Sequence, residues 1–416
     1  MLLTARQAER RLMLLTALRW VPVGVTFGLT VLLPLERGLT LTEVGVLLSV
    51  QGFVVLGLEL PTGGLADTFG RRPVLVVAGI IGVAATALFV VADGFVWFAA
   101  AILLQGVFRA LDSGPLEAWF VDAATAAEPD YPLERTLSRA GTVLGLGIAG
   151  GALAGGGLVA WAPVPGWSPL VLPFLVALAG AIGSTLATAV LVREPPRRRH
   201  RATKPGAAAS ADRPAAPVAA FRLLRRSPVL RALIAVEVFW AVAMVAFESL
   251  TPVRLAEVLG GEDAAGAVFG PASAAAWALF AAGAFVAGRA SRRIGVVTTA
   301  MVARVLNGLF VVAMGVAAGP IGLLSAYGLA YLTHGAAGPL HNVLLHREAD
   351  ANTRATVLSA NSMVAGGVYS VGLLVLLPLA EAAGTGAAVI VAGAFSILGV
   401  FCYLPARRAE RGGAPA

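Results

Sequence analysis

Long runs of apolar residues dominate the sequence and are separated by short polar segments. The hydrocarbon core of a bilayer is roughly 30 Å thick, so an α-helix needs about 20 mainly apolar residues to cross it. Apolar residues make up 58% of the chain and charged residues only 13%, whereas soluble domains carry about 25% charged residues. The sequence therefore predicts an all-α integral membrane protein.

Twelve such runs can be distinguished, six in each half of the chain. In the first half they cover residues 12–33, 44–65, 74–92, 95–121, 142–161 and 170–192. In the second half they cover residues 229–250, 264–287, 296–317, 321–345, 357–380 and 387–404. The first run is too long for a secretory signal and no clear cleavage site of small residues follows it, so we interpret it as a spanning helix.

The arginines predict the orientation of the runs, because Lys and Arg of short loops are retained on the cytoplasmic side of a membrane. If the runs alternate in direction, nearly all loop arginines fall on one side, and only Arg37 and Arg254 fall on the other. We therefore predict cytoplasmic termini and a multi-pass protein of the cell membrane. The net charge of +8 then faces anionic lipid of the bilayer, and we expect no nucleic-acid partner.

A basic segment rich in proline and alanine divides the chain into an N-terminal six-helix half (1–192), a cytoplasmic linker (193–228), a C-terminal six-helix half (229–405) and a cytoplasmic tail (406–416). Two landmarks recur across it. GGLADTFG at Gly63 and GRASRRIG at Gly288 are 225 residues apart, and GPLEAWFVD at Gly114 and GPLHNVLLH at Gly338 are 224 apart. These offsets indicate a duplicated six-span unit, as in many secondary transporters with a substrate site near the bilayer midplane.

The segment GGLADTFGRR, between the second and third runs, resembles the signature G-x-L-A-D-x-x-G-R-R/K that the major facilitator superfamily carries between its second and third spans. The resemblance covers essentially the whole chain and implies two six-helix bundles joined by a cytoplasmic linker. The stretches ELPTG and SGPLEAWFVD are similar to those of efflux-type members.

The resemblance also implies a conformational latch, because the matching residues in that family form a charge network with the cytoplasmic ends of the fourth and eleventh spans. Carried over, Asp67 and Arg71 would engage Asp122 and the start of the eleventh span near Arg354. The latch then consists of Gly63, Gly64, Asp67, Gly70, Arg71, Arg72 and Asp122. The alternative is that the arginines only mark the cytoplasmic side and Asp67 is solvated. In the second copy Arg292 replaces the aspartate, which leaves a second latch in doubt.

The local residue types of this segment fit a tight elbow between two helices. Gly70 permits a left-handed conformation, and Pro73 suits the first turn of the following helix. The small Gly63 and Gly64 allow helices to approach one another closely.

Charged residues inside the runs are the next candidates, because each costs roughly 2.5 to 3.5 kcal/mol at a helix centre. They are Arg19, Glu59, Arg109, Asp112, Glu237 and Arg304. From their depths we predict that Arg19 pairs with Glu59 and that Glu237 pairs with Arg304. Arg109 and Asp112 are three residues apart on one helix and can interact directly.

Each of these charges is either part of a structural ion pair or part of the proton-coupling machinery. Asp112 and Glu59 are the leading proton carriers, since burial raises the pKa of a carboxyl group and a nearby arginine lowers it. Arg109 resembles an arginine on the fourth span of the family that is linked there to proton coupling.

Other residues suggest a cavity or helix packing. Phe239, Trp240 and Trp277 are candidates to line an apolar substrate cavity, with packing and lipid contact as the alternative. His334 and His341 lie on one helix face, about 10.5 Å apart, too far to share a metal; we interpret them as packing residues, or else as a proton relay. The glycine-rich fifth run favours either an exporter or close helix packing.

Motifs of soluble enzymes are absent from the sequence, including the phosphate loop and the H-E-x-x-H and G-x-S-x-G patterns. We therefore expect no enzymatic activity, catalytic residue, cofactor or metal. The predicted function is alternating-access, proton-coupled export of small hydrophobic or amphipathic compounds by a monomer. One alternative is an uptake permease for a small metabolite, because fold does not fix function; another is a membrane receptor or enzyme without transport activity.

Overall fold

The computed structural model describes residues 3–63, 65–194, 224–225, 227–349 and 353–411, without the side chains of residues 60, 61, 63, 67 and 355. Within these ranges every regular element is helical. In the first half the helices are α1 (Ala5–Val25), α2 (Leu29–Glu36), α3 (Leu41–Gly63), α4 (Leu65–Phe69), α5 (Arg71–Val91), α6 (Phe95–Asp112), α7 (Pro115–Ala127), α8 (Leu133–Trp161) and α9 (Val171–Leu191).

The second half continues with eight α-helices in its described part. They are α10 (Pro228–Val245), α11 (Thr251–Leu259), α12 (Glu262–Ile294), α13 (Val296–Val316), α14 (Pro320–Glu348), α15 (Arg354–Ala383), α16 (Thr385–Leu398) and α17 (Leu404–Arg411). A π-helical turn, Ala246–Leu250, joins α10 to α11, and a 3₁₀ turn, Gly399–Tyr403, joins α16 to α17.

Eleven helical segments of the described chain are long and apolar enough to cross a membrane, which confirms the prediction of a multi-pass membrane protein. The tenth predicted run corresponds to α14, a helix of 29 residues that is not among the eleven. Its two tyrosines and three histidines lower its hydropathy.

Three of the spanning segments are broken near their middle. Gly28 (φ 78°) separates α1 from α2, and Gly114 (φ 92°) separates α6 from α7 just before Pro115. The seventh segment contains the π-helical turn instead. A single π-helical turn inside an α-helix is frequent at functional sites. Asp112, the last residue of α6, lies directly at one of these breaks.

The chain forms two compact units. Unit 1 comprises Met1–Phe27, Phe53–Gly155 and Val171–Pro214, and unit 2 comprises Gly28–Gly52, Gly156–Leu170 and Ala215–Ala416. Unit 2 includes α2 because this helix packs against α11 and α12. The predicted six-helix halves remain a prediction, since most of the linker at 193–228 lies outside the described residues.

In unit 1 a row of glycines brings α8 against α1. A Cβ atom at Gly151 would collide with the carbonyl of Val21, and one at Gly155 would collide with the carbonyl of Val25. Likewise, a Cβ atom at Gly24 would collide with the backbone of α8. Glycines four residues apart are typical of membrane helices that pack backbone to backbone. Helix packing inside this unit therefore accounts for Gly151 and Gly155 of the glycine-rich fifth run.

The two glycines that end the repeated landmarks have nearly the same backbone geometry. Gly70 has φ 100° and ψ 155°, Gly295 has φ 84° and ψ 156°, and a long helix begins immediately after each. A carboxylate lies close to each of them. A Cβ atom at Gly70 would be 2.6 Å from Oε1 of Glu194, and one at Gly295 would be 3.3 Å from Oε2 of Glu410. This correspondence agrees with the duplication that the sequence indicates.

We predict that Gly70→Ala lowers the midpoint of thermal unfolding of the detergent-solubilised protein. At φ 100° and ψ 155° a residue other than glycine costs about 1–3 kcal/mol, and the added methyl group would displace the Glu194 carboxylate. Gly57→Ala is the matched control, because Gly57 lies inside α3 with nothing within 4 Å of its Cβ position. Alanine favours a helix by about 1 kcal/mol over glycine, so its midpoint should not fall. An unchanged midpoint for Gly70→Ala would contradict the prediction.

Candidate functional site

The segment GGLADTFGRR forms a compact elbow between two long helices. α3 ends at Gly63, the short α4 follows, and Gly70 then turns the chain into α5, with Pro73 in its first turn. The positive φ of Gly70 and the position of Pro73 confirm the expected backbone geometry. Gly64 and the side chain of Asp67 lie outside the described part of the chain.

Arg71, the first residue of α5, forms an ion pair with Asp122 of α7. Its Nε atom lies 2.9 Å from Oδ2 of Asp122, and the two side chains are 22% and 49% exposed. The predicted contact between Arg71 and Asp122 is therefore confirmed. Because both side chains are partly exposed, the pair is weak enough to break and reform.

Glu194 is a member of this elbow that the sequence did not indicate. The backbone N–H of Arg72 donates to Oε1 of Glu194 at 2.8 Å, so a carboxylate caps the positive end of the α5 dipole. The backbone just before Glu194 also accepts hydrogen bonds from side chains of unit 1. Trp119 Nε1 donates to the carbonyl of Arg193 at 2.9 Å, and Arg11 donates to the carbonyl of Leu191 at 2.6 Å.

An ion pair between Arg19 of α1 and Asp112 of α6 lies deeper in unit 1. Arg19 Nε donates to Asp112 Oδ2 at 2.7 Å, and the side chains are only 15% and 21% exposed. The guanidinium also lies 4.2 Å from the ring centroid of Phe108, one helical turn before Asp112. One face of α6 thus binds Arg19 through both a ring and a carboxylate.

The predicted pairing of Arg19 with Glu59 is wrong, because Asp112 takes this place. The pairing was predicted from the depth of each charge along its helix. Depth alone does not identify the partner, since sequence does not show which helices are adjacent. Glu59 itself is exposed. One turn further along α3, the hydroxyl of Thr62 donates to the carbonyl of Ala110 at 3.1 Å and so connects α3 with α6. Arg109 is exposed on α6.

Unit 2 contains a buried polar network around Glu237 of α10. His341 Nε2 lies 3.1 Å from Oε1 of Glu237, and Asn361 Nδ2 donates to the same oxygen at 3.3 Å. The other ring nitrogen of His341 lies 3.0 Å from the hydroxyl of Tyr403. These four side chains are at most 9% exposed. With Nε2 protonated, His341 donates to the carboxylate and accepts from the tyrosine.

Arg304 of α13 does not form the predicted direct ion pair with Glu237. It acts on this carboxylate electrostatically, but His341 is the direct partner. The guanidinium is 4% exposed and lies 4.9 Å from the ring centroid of Trp240. Its Nε and Nη1 atoms have no hydrogen-bond partner among the described residues.

An aromatic cluster lies next to Arg304, and we call it the His334 cluster. The ring of His334 stacks on Trp240 with 5.0 Å between centroids and an angle of 21°. It also contacts Phe280 at 5.1 Å and Phe247 at 5.7 Å. The cluster consists of Trp240, Phe247, Trp277, Phe280, Tyr331 and His334.

Two of the three aromatic residues predicted to line a cavity, Trp240 and Trp277, belong to this cluster. Phe239 does not, because its ring stacks on Phe395 of α16 at 4.9 Å. A Cβ atom at Gly399 would also touch Phe239. Phe239 therefore packs between helices on another face of α10.

The sequence model of the Major Facilitator Superfamily matches residues 12–373 of this chain. The chain belongs to the major facilitator superfamily. Members of this superfamily are membrane transporters and not enzymes, so the protein is a transporter with a small-molecule substrate. A search of curated proteins found no match to the sequence.

Solved structures of other superfamily transporters have the same fold. The nucleoside transporter NupG matches with a TM-score of 0.76 at 11% identity, over 95% of this chain and 98% of its own. A bacterial homolog of the human lysosomal transporter Spinster matches with a TM-score of 0.77 at 16% identity, over 99% of each chain. A structure from a study of proton-dependent oligopeptide transporters gives 0.70 at 13% identity, over 97% and 99%. At such identities the likeness shows the fold alone.

We predict that His341→Ala destabilises this superfamily transporter in detergent. Without His341 the buried Glu237 carboxylate loses its closest hydrogen-bond partner, and a buried polar group left without a partner costs about 1–3 kcal/mol, more when it is charged. In the double variant with Glu237→Gln the loss should be smaller than the sum of the two single losses, since the carboxylate that His341 contacts is then absent. Arg304 remains as the buried charge of this network in both variants. Arg347→Gln is the control, because the Arg347–Glu410 pair is about one-third exposed and such pairs contribute at most about 1 kcal/mol. Additive losses in the double variant would contradict the prediction.

Proposed function

We propose that this transporter is a proton-coupled exporter of small hydrophobic or amphipathic compounds that works by alternating access. The observation that supports proton coupling best is the Arg19–Asp112 ion pair, which joins α1 to α6 in a largely buried position. The export direction rests on the resemblance of ELPTG and SGPLEAWFVD to efflux-type members.

The proposed role of Asp112 follows from what a proton does to this pair. Two opposite charges about 4 Å apart attract by roughly 4 kcal/mol at an effective dielectric constant near 20. A proton on Asp112 removes this attraction and leaves Arg19 with the rings of Phe108 and Trp20. The contact between α1 and α6 then weakens at the residue where α6 ends before Gly114. Proton binding is thereby linked to the packing of two helices.

The remaining intramembrane charges have supporting roles in this proposal. Glu59 is the second candidate carrier, because its exposed carboxylate on α3 is accessible to protons. Arg109 lies one turn before Asp112 on α6 and adds positive charge near it. Glu237 and Arg304 form the charged part of the buried network in unit 2.

The Arg71–Asp122 ion pair is the proposed latch of one conformation. It connects the elbow before α5 with α7, and the Glu194 carboxylate holds the same end of α5. A partly exposed pair suits a latch, because its small net energy lets it open during each transport cycle. Asp67 and Arg72 complete the proposed latch.

The His334 cluster supports an amphipathic substrate. Small-molecule sites are mostly apolar and contain a few polar groups that fix orientation. Trp240, Trp277 and Phe280 give this cluster apolar, partly exposed walls in unit 2, and His334 and Arg304 add polar groups beside them.

Substrate-induced proton movement in proteoliposomes tests the proposed function. Lipophilic cations, neutral drugs and amphipathic anions are added as trial substrates, and the pH of the lumen is followed with a trapped dye. We expect at least one compound to cause proton counterflow in the native protein. Asp112→Asn should abolish this flow, because an amide binds no proton in this range. Glu59→Gln shows whether the second acid is also required.

The control for this experiment is Asp93→Asn, since Asp93 is an exposed acid in the loop between α5 and α6. It should leave the coupled flow unchanged. If folded native protein shows no coupled proton flow with any compound, the exporter proposal fails. Proton flow in the same direction as the solute would instead identify an uptake permease.

For the latch we predict that Asp122→Arg slows transport by roughly fivefold or more, a typical size for a conformational coupling. It places like charges at the Arg71 contact. The charge-reversed double variant, Arg71→Asp with Asp122→Arg, should recover part of the rate. Asp130→Asn, an exposed acid beyond α7, is the control. If the loss of transport rate in the double variant equals the combined losses of the two single variants, the pair is not a latch.

A further inference from the structure

The His334 cluster contains several polar atoms that are buried without any partner. Among the described residues, Trp240 Nε1, Trp277 Nε1 and His334 Nδ1 form no hydrogen bond. Two nitrogens of the adjacent Arg304 are in the same state. A buried donor without a partner costs about 1–3 kcal/mol. A few such atoms per about 100 residues are usual, but the five named here lie in one cluster and the adjacent Arg304.

Arg304 is the strongest sign that an anion belongs here. Its side chain is 4% exposed, and within the described chain it forms no direct ion pair with a carboxylate. Glu237 acts on it electrostatically. Oε1 of Glu237 receives His341 and Asn361, and Oε2 is buried without a partner among the described residues but makes no ion-pair contact with Arg304. A buried guanidinium without a contacting anion is costly, because the interior solvates it poorly. An anionic ligand would supply the missing contact.

The rings of the cluster determine the shape of such a ligand. Trp240 is in contact with His334 through stacking and with Arg304 through its ring face. Trp277 lies 5.5 Å from Phe280 and 5.9 Å from Tyr331. These distances join the rings of the cluster to one another. A flat aromatic ligand that separates the rings keeps offset or edge-to-face ring pairs, which add stability beyond the buried area.

The backbone around the cluster is built to hold these rings in place. A Cβ atom at Gly283 would collide with the carbonyl of Leu332, and one at Gly335 would collide with the carbonyl of Phe280. α12 and α14 thus meet at two glycine contacts beside the cluster. Phe247 lies in the π-helical turn between α10 and α11, a feature frequent at functional sites. The rings carried by α12 and α14 are therefore held close together in the described conformation.

We propose that the His334 cluster together with Arg304 is the binding site for a planar aromatic anion, such as an aromatic carboxylate. Arg304 and the indole N–H groups of Trp240 and Trp277 bind the anionic oxygens, and the rings enclose the aromatic body. The polar atoms are buried in the described conformation, so the ligand enters in another conformation of the cycle. In this respect the inference rests on the proposed alternating-access function.

Equilibrium binding to the purified full-length protein in detergent tests this inference, because it needs no gradient and no transport. The probes are naphthoate, the neutral naphthalenemethanol and the cationic naphthylmethylammonium, which share one ring system. Native protein should bind naphthoate about tenfold tighter than naphthalenemethanol, a difference that one charged contact readily supplies. Naphthylmethylammonium should bind most weakly.

Two variants and a control assign the contact. Arg304→Gln should remove the preference for naphthoate, and Trp240→Phe should weaken naphthoate severalfold while it keeps an aromatic wall. The matched control is Arg289→Gln, because Arg289 also lies over an aromatic ring, that of Phe285, but is exposed. It should bind naphthoate like the native protein.

The inference is overturned if native protein binds the three probes equally, or if folded Arg304→Gln binds naphthoate as tightly as native protein. If Arg304→Gln does not fold, the probe series on native protein and Trp240→Phe still decides. Selective naphthoate binding without coupled proton flow would leave the site intact and remove the proposed proton coupling. Proton flow with cationic compounds but no naphthoate binding would support the proposed proton coupling and overturn the proposed anion site.

Discussion

A charge inside the hydrocarbon core of a bilayer needs a partner, and this constraint organises the described parts of both units. At a helix centre such a charge costs roughly 2.5 to 3.5 kcal/mol. In unit 1 the partner of Arg19 is Asp112, which connects α1 with α6. In unit 2 the partner of Glu237 is His341, which connects α10 with α14. Each pair holds helices together and is also a place where one proton changes the charge balance.

Such short ion pairs need helices at fixed distances, and glycines set these distances. Val21, two residues after Arg19, touches Gly151 of α8, so the same stretch of α1 is positioned by a glycine contact and by a charge. The His334 cluster lies beside the corresponding contacts of Gly283 and Gly335. The polar contacts inside these units therefore depend on glycines, which let the helix backbones approach one another closely.

The sequence predicted the features that depend on local residue types. Apolar runs gave the spanning helices, the glycines of GGLADTFG gave the elbow, and the signature gave the Arg71–Asp122 contact. It failed where the answer depends on which helices are neighbours. Arg19 pairs with Asp112 instead of Glu59, and His341 takes the place beside Glu237 that was assigned to Arg304. Glu194 left no signal, since its contact joins distant parts of the chain.

The contact of Glu194 also sets a limit on how the middle of the chain can be altered. Its carboxylate caps α5 through the backbone of Arg72, and the carbonyl of the preceding Arg193 accepts from Trp119. These residues follow the sixth predicted span and therefore belong to the packing of unit 1 rather than to a passive connection. A shortened or divided form of the protein has to keep every residue up to and including Glu194 in its N-terminal part. The chain can be divided only after Glu194.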